Sequence, residues 1–251
     1  MNFSVVTYNV LADAYVKRER YPLSPPEALR SKARRALLLS TLAALDADVL
    51  CLQELEPDLL REVEALGYSG IYVAKPGKPD GSAVLVRGPI RVVSSRAVHY
   101  RAVEAGYPHV AAIAELELGS RRLHAASTHL RWQRRDTPPD RHLGRLQLLE
   151  LLAHRDEGAW LVAGDFNTLS EGPVIREALA AGLRLSCRSQ RPWDTVNIDG
   201  RRRKLDYLLY TPAHLRAIPG TLPRLERRTP MPSAVHASDH LPVRVDYEWC
   251  G

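Results

Sequence analysis

The sequence predicts an α/β sandwich, with mixed sheets covered by helices rather than one parallel sheet. Three observations carry that expectation. Strands alternate with helical stretches in the first and last thirds of the chain, and strands separated by short turns fill the middle. No internal repeat, low-complexity tract or long linker divides the 251 residues, so one domain over 1–251 is expected.

Each element has its own signal. Phe3–Val10 alternates and is rich in β-branched residues, as a half-buried strand is. Leu29–Leu45 spaces Ala33, Ala36, Leu37, Thr41, Ala44 and Leu45 as a helix does. Asp48–Glu54 is a short apolar run, and Asp58–Leu66 is a helix that Gly67 stops. Tyr21–Pro26 and Lys75–Gly81 are dense in Pro and Gly and predict loops. Ser82–Arg87, Ile90–Tyr100, His109–Leu118 and Arg121–Leu130 follow one another as antiparallel strands do. A helix near Arg141–His154, a strand at Ala159–Phe166 and a helix at Val174–Ala181 come next. Strands near Leu205–Tyr210 and Val243–Trp249 close the chain.

Composition narrows the class without naming a function. A hydrophobic content of 45% and a charged content of 25% exclude disorder and collagen. No apolar run approaches the ~18 residues of a membrane span, and Met1–Leu11 lacks a signal-peptide pattern, so a cytoplasmic protein is expected. Cys51, Cys187 and Cys250 are too far apart for a zinc or disulfide framework. The formal charge of +6 is almost all arginine: five lysines among 35 basic residues leave 30. Arginine forks onto phosphate, which admits an anionic partner.

The informative regularity is what ends the strands. Ser4–Tyr8 runs into Asn9, Val49–Leu52 into Gln53-Glu54, Leu123–Ser127 into Thr128-His129, and Trp160–Ala163 into Gly164-Asp165-Phe166-Asn167. Asp206 opens an apolar strand, and Ser238-Asp239-His240 stands just before another. Side chains at strand ends line the crevice of α/β sheets, so one polar cluster drawn from distant sequence is expected. Its Asp, Glu and Asn oxygens suit a hard cation, Mg2+ with Mn2+ as a substitute, and not zinc. An Asp beside a His fixes the tautomer and raises the pKa for acid–base work.

Thr7-Tyr8-Asn9-Val10-Leu11-Ala12, Leu52-Gln53-Glu54, Thr128-His129-Leu130, Gly164-Asp165-Phe166-Asn167, Leu205-Asp206-Tyr207 and Ser238-Asp239-His240-Leu241-Pro242 together resemble the endonuclease/exonuclease/phosphatase superfamily. The resemblance spans residues 7–242 in the family's order. It implies the deoxyribonuclease I-like fold, a four-layer α/β sandwich of two packed mixed sheets flanked by helices. Residues 8–15, Lys78-Pro79-Asp80-Gly81-Ser82-Ala83 and Thr128–Trp132 resemble the deadenylase, nocturnin, angel and 2′-phosphodiesterase branch. Leu11 stands where apurinic endonucleases usually carry an acid, and the leucine-rich repeats of some deadenylases are absent.

The resemblance implies a metal-dependent phosphodiesterase with roles for each residue. Asn9, Glu54 and Asp239 would hold the metal, and Asp165 and Asn167 the attacking water. His240, paired with Asp206, would contact the scissile phosphate, and His129 would donate to a non-bridging oxygen. Arg131, Arg134 and Arg135, with Arg201–Lys204, would flank the cleft and grip a nucleic acid, Arg131, Arg203 and Lys204 foremost. Trp132 and Trp193 are candidates for stacking on bases. Arg30, Lys32, Arg34 and Arg35 open a helix and are expected on a solvated face. The expected substrate is the 3′ end of single-stranded RNA, acted on by a monomer away from membranes. Competing readings are an RNA 2′,3′-cyclic or terminal phosphatase, a DNA-end or abasic-site nuclease, a lipid phosphodiesterase and an inactive RNA-binding module.

Overall fold

A computed structural model describes residues 2–134, 136–187 and 193–250. Its framework is two six-stranded mixed sheets packed face to face. The first sheet comprises β1 (Asn2–Asn9), β2 (Val49–Leu55), β3 (Tyr68–Ala74), β4 (Gly81–Arg87), β13 (Leu215–Pro219) and β14 (Val243–Trp249), ordered β13-β14-β1-β2-β4-β3. The second holds β5 (Arg91–His99), β6 (Val110–Leu118), β7 (Arg121–His129), β8 (Trp160–Asp165), β9 (Arg184–Leu185) and β12 (Asp206–Tyr210), ordered β5-β6-β7-β8-β12-β9. A small hairpin, β10 (Val196–Ile198) and β11 (Arg201–Arg203), stands apart.

The apolar patterning builds four layers. Val5, Val49, Cys51, Val84, Ala112, Leu161 and Leu208 point between the sheets. Val6, Tyr8, Leu50 and Leu52, on the other face of the first sheet, meet α1 (Ser31–Leu45) and α2 (Pro57–Glu64) through Leu38, Leu42, Leu59 and Val63. The second sheet's outer face does the same with α3 (Leu143–Leu152) and α4 (Pro173–Ala180) through Leu148, Leu151, Val174 and Ile175. Each fully buried aliphatic side chain stabilises this arrangement by roughly 1.5–3 kcal/mol. Among the described residues, no helix is long and apolar enough to cross a membrane.

Two parallel pairs position the site. β1 pairs with β2 and β7 with β8, in register so that Asn9 lies opposite Gln53 and His129 opposite Asp165. Parallel neighbours end at the same level, so the polar residues closing these four strands gather at one edge of the sandwich. Gly164 makes the second pairing feasible: its φ of 149° and the Thr128 carbonyl oxygen, 1.9 Å from where a Cβ would stand, exclude any side chain there.

The structure departs from the sequence expectation at the sheet margins and on one helix. β3 and β13 are edge strands that the pattern did not signal: Gly67 to Gly70 reads as a turn, and β13 ends in Pro219-Gly220. The stripe of α1 that faces the core is Arg34, Leu38 and Leu42, one position away from the expected alanine stripe. Leu37–Leu39 makes the helix apolar nearly all round there, so spacing alone does not fix its face. Arg34 is not solvated but 4% exposed, donating to the carbonyls of Leu11 and Ala237 and to Asp13. It thereby ties the end of β1 to the segment that carries Ser238, Asp239 and His240.

Replacing Gly164 with Ala is expected to lower stability by on the order of 3 kcal/mol. That corresponds to a fall in Tm of about 6–12 °C for a chain this long. An unchanged melting curve would show that β7 and β8 do not approach this closely.

Candidate active site

Asn9 is the centre of the cluster. Its Nδ2 donates to Glu54 Oε1 at 3.1 Å and to Asp165 Oδ2 at 3.2 Å, while its Oδ1 accepts from the Leu11 amide at 3.1 Å. Glu54 sits at φ 54° and receives the Ala12 amide on its other oxygen at 3.2 Å. Asp165 accepts from the Asn167 amide at 2.9 Å, with Asn167 turned to φ 49°. Ser238 Oγ donates to the Asn9 carbonyl at 2.7 Å and receives the His240 amide at 3.1 Å, which fixes the third segment. Tyr21, a buried residue of the expected loop, donates its hydroxyl to Asp239 at 3.1 Å.

The electrostatics are those of buried acids with few cations among them. His240 Nδ1 lies 3.0 and 2.9 Å from the two oxygens of Asp206, and its Nε2 is 3.7 Å from Asp165. Burial opposes a charge on His240, but Asp206 and Asp165 together hold its pKa well above the ordinary value, so the ring carries two protons. Burial pushes Asp165 up to about 7, His240 opposing and Asp206 adding to the shift. Burial also raises Glu54, with Lys75 opposing and Asp239 adding. Lys75 is itself committed to Asp80, 2.5 Å away.

His129 closes β7 with its Nε2 3.5 Å from Asp165 and its Nδ1 3.9 Å from Glu54. Burial lowers its pKa well below the ordinary value, so the ring is neutral. The Asn167 amide donates to the Leu130 carbonyl and to His129 Nε2, both at 3.0 Å. Turning that amide over would set its oxygen against the Leu130 oxygen. Nδ1 faces Lys75 Nζ at 3.5 Å as well as Glu54, and the ring orients Asn167. Asn167 Oδ1 is left toward the cleft.

The donor set fits a hard divalent cation. Among the described residues Asp239 has no Lys, Arg or His within ion-pairing distance and Glu54 has only His129 Nδ1 at 3.9 Å, and both are oxygen donors in a buried acidic cluster. Asn9 Oδ1 keeps one lone pair beyond the one used by Leu11. Asp165, Asp206 and His240 also place donor atoms within 4.8 Å of one another.

Beside the cluster opens a cavity of about 550 Å³ lined by Trp132, Gln133, His142, Asn167, Arg176 and Arg203 among others. Trp132 is 50% exposed there, whereas Trp193 packs against the core between the sheets. The basic residues expected at the rims divide sharply. Arg131 pairs with Glu104 and covers the Tyr107 ring, Arg134 pairs with Asp136, and Arg135 lies outside the described residues. Arg201 and Arg203 face clefts beside the site. Arg202 and Lys204 turn away, to the Leu225 and Cys187 carbonyls. Strand alternation explains the split and would have separated them in the sequence. Lys204 is thus placed away from any substrate in this cleft.

The sequence pattern of the Endonuclease/Exonuclease/phosphatase family matches residues 6–240. The chain belongs to that family. Its members, nocturnin and ANGEL2 among them, are phosphoester hydrolases. Nocturnin of Rattus norvegicus is 28% identical over 98% of this chain and 65% of its own length. Carbon catabolite repressor protein 4 homolog 4 of Arabidopsis thaliana is 45% identical over 35% of this chain and 22% of its own. The chain thus spans from about a fifth to two thirds of these relatives. Among solved structures, ANGEL2, described as a 2′,3′-cyclic phosphatase, superposes with a TM-score of 0.84 at 21% identity, covering 98% of this chain and 95% of that one. The human nocturnin catalytic domain gives 0.76 at 24%, covering 99% and 94%. At these identities the two structures establish the shared fold.

Sequence reasoning missed the support around the family's motif residues. Lys75, Asp80, Tyr15 and His109 surround His129 and Glu54: Lys75 and Asp80 bound the turn between β3 and β4, Tyr15 ends a short 3-10 helix, and His109 directly precedes β6. Tyr15 donates to Asp80 at 2.6 Å, and His109 Nδ1 donates to the His129 carbonyl at 2.8 Å.

His109 yields a pH prediction. Burial lowers its pKa from 6.5 to about 4 in the folded chain, so the unfolded chain binds the extra proton between those values. Its contribution is complete above pH 6.5 and is lost as the pH falls toward about 4, by roughly 3 kcal/mol over the whole window. His109→Gln keeps a donor for the His129 carbonyl and should flatten this part of the acid limb in urea denaturation. Parallel wild-type and variant curves would remove His109 as the cause.

Proposed function

We propose that the chain is a Mg2+-dependent phosphodiesterase that removes nucleotides from the 3′ end of single-stranded RNA, with Mn2+ able to substitute. The observation that carries the reading is a buried His240, held by Asp206 at 2.9 Å with its Nε2 3.7 Å from Asp165, beside a cavity that exposes Trp132. Acid, base and an aromatic surface for a base are what hydrolysis at a nucleic-acid end requires.

Asp165, raised toward neutrality, takes a proton from the attacking water, and Asn167 Oδ1 accepts the other to orient it. His240 donates toward the phosphate and, with Asp206 holding its Nδ1–H, returns a proton to the leaving 3′ oxygen. The phosphorus–oxygen bond to that oxygen breaks as the bond to water forms, releasing a nucleoside 5′-monophosphate. His129 acts as a positioning residue that holds Asn167. Glu54, Asp239 and the spare lone pair of Asn9 would hold the metal, which when bound neutralises charge on the phosphate oxygens. Arg203, which borders both clefts, stands where it meets a neighbouring phosphate. Trp132 stacks on the terminal base.

With labelled single-stranded RNA and Mg2+, stepwise shortening to nucleoside monophosphates is expected, and a chelator should stop it. Asp165→Asn and His240→Asn should each lower kcat by about 10²–10⁴-fold, the usual scale of acid–base assistance, with RNA binding retained. Asp206→Asn should give a smaller loss, because it removes the largest support for the His240 charge. Release of a terminal phosphate from an otherwise intact chain would replace this reading with end processing. Undiminished cleavage by the Asp165 and His240 variants would sink the assignment of the site.

A further inference from the structure

The wall of the Trp132 cavity at the start of α3 presents hydrogen-bond donors, and the way that helix is capped explains it. His142 stands at the N-terminal cap of α3, where its Nδ1 accepts the Arg145 amide at 3.2 Å. The residue is 3% exposed and borders the cavity. Burial lowers its pKa, so the ring is neutral with one proton. Since Nδ1 gives its lone pair to the helix, that proton is on Nε2. Nε2 hydrogen-bonds to no other described residue, and it is not among the atoms sealed from solvent without a partner. Gln133 repeats the pattern. Its Oε1 accepts the Leu143 amide, so its Nε2 is left as a donor, and Gln133 also lines the cavity. The single acceptor of His142 is consumed by an unpaired amide of the first turn, so its ring can offer the cavity only N–H, whereas Gln133 keeps a second Oε1 lone pair beside its NH2 group.

What these donors face is not shaped for phosphate alone. The indole of Trp132 and the apolar side chains of Leu169, Pro173 and Leu205 share the same wall. A neutral donor beside the indole and these apolar side chains suits the edge of a flat heterocycle, while Arg176 and Arg203, which line the same cavity, suit its phosphate. Resting on the function proposed above, we infer that His142 Nε2–H, with Gln133 beside it, reads the base of the terminal nucleotide and selects one that turns a carbonyl acceptor toward the ring. Guanine O6 and uracil O4 stand where adenine and cytosine carry an exocyclic amino group, which would meet N–H with N–H. His142 is on this reading a specificity-determining residue, set apart from the proton transfers at Asp165 and His240.

The test measures binding of the four nucleoside 5′-monophosphates, GMP, UMP, AMP and CMP, by isothermal titration, so that it does not depend on turnover. GMP and UMP are expected to bind about three- to tenfold more tightly than AMP and CMP, the scale of one neutral hydrogen bond. His142→Asn supplies a good cap for α3 but is too short to reach the cavity, so it should keep the melting temperature and erase the preference. A preference for AMP or CMP, equal affinities in the wild type, or a preference unchanged in His142→Asn would each overturn the inference. RNA turnover, assayed separately, reports on the proposed function: cleavage with no base preference removes only the role of His142.

Discussion

One buried amide holds the site together. Asn9 belongs to the first sheet, as does Glu54, while Asp165 belongs to the second, and Asn9 Nδ2 donates to both carboxylates. Without a donor between them, two buried acids on facing sheets would repel one another or take up protons. The amide does this without adding charge, which leaves the cluster acidic enough to attract a cation. Just below, Gln53 Nε2 crosses the same gap to Ser127 Oγ at 3.0 Å, and Ser127 Oγ donates back to the Leu52 carbonyl at 3.1 Å. The sheets are therefore locked by hydrogen bonds at the catalytic edge and by apolar packing elsewhere.

That lock lets two histidines in one cluster behave oppositely. His240 is gripped by Asp206 and keeps a second proton, whereas His129 lies near Lys75 and accepts from Asn167, and it stays neutral. Burial disfavours charge on both, so the difference comes from the sign of the nearest partner. Strand register sets those partners: Asp206 lies opposite Asp165 on β12 and β8, and His129 lies opposite Asp165 on β7.

Much of this was legible because a parallel strand buried on both faces leaves little ambiguity. β1, β2, β7 and β8 read as apolar runs, and a polar residue closing such a run has few places to go but the strand end. Asn9, Glu54, His129, Asp165, Asn167, Asp206, Asp239 and His240 all lie in or directly around the cluster for that reason. The margins were less legible. β3 carries Gly70, where a Cβ would stand 2.2 Å from the Val84 carbonyl oxygen, so the residue that permits the pairing is also the one that hides the strand. The four-residue basic run from Arg201 to Lys204 read as one patch, but a strand sends neighbouring side chains to opposite faces. Arg34 looked solvated because no local pattern announces that two carbonyl oxygens and Asp13 converge on it from distant segments.

The arginine excess takes on a different meaning once its partners are known. Arg34, Arg35, Arg145 and Arg202 bind acids or carbonyls of the fold itself, and Arg131 and Arg134 are paired at the surface. A net charge of +6 therefore does not amount to a basic track leading to the site. Among the described residues, the recognition groups at the cleft are Arg176, Arg201 and Arg203, the exposed face of Trp132, and the donors left over from capping α3. Groups of this kind discriminate by shape and hydrogen-bond direction, which long-range attraction between charges cannot supply. On the proposed function, selectivity belongs to the cavity wall, and the acidic cluster beside it supplies the chemistry.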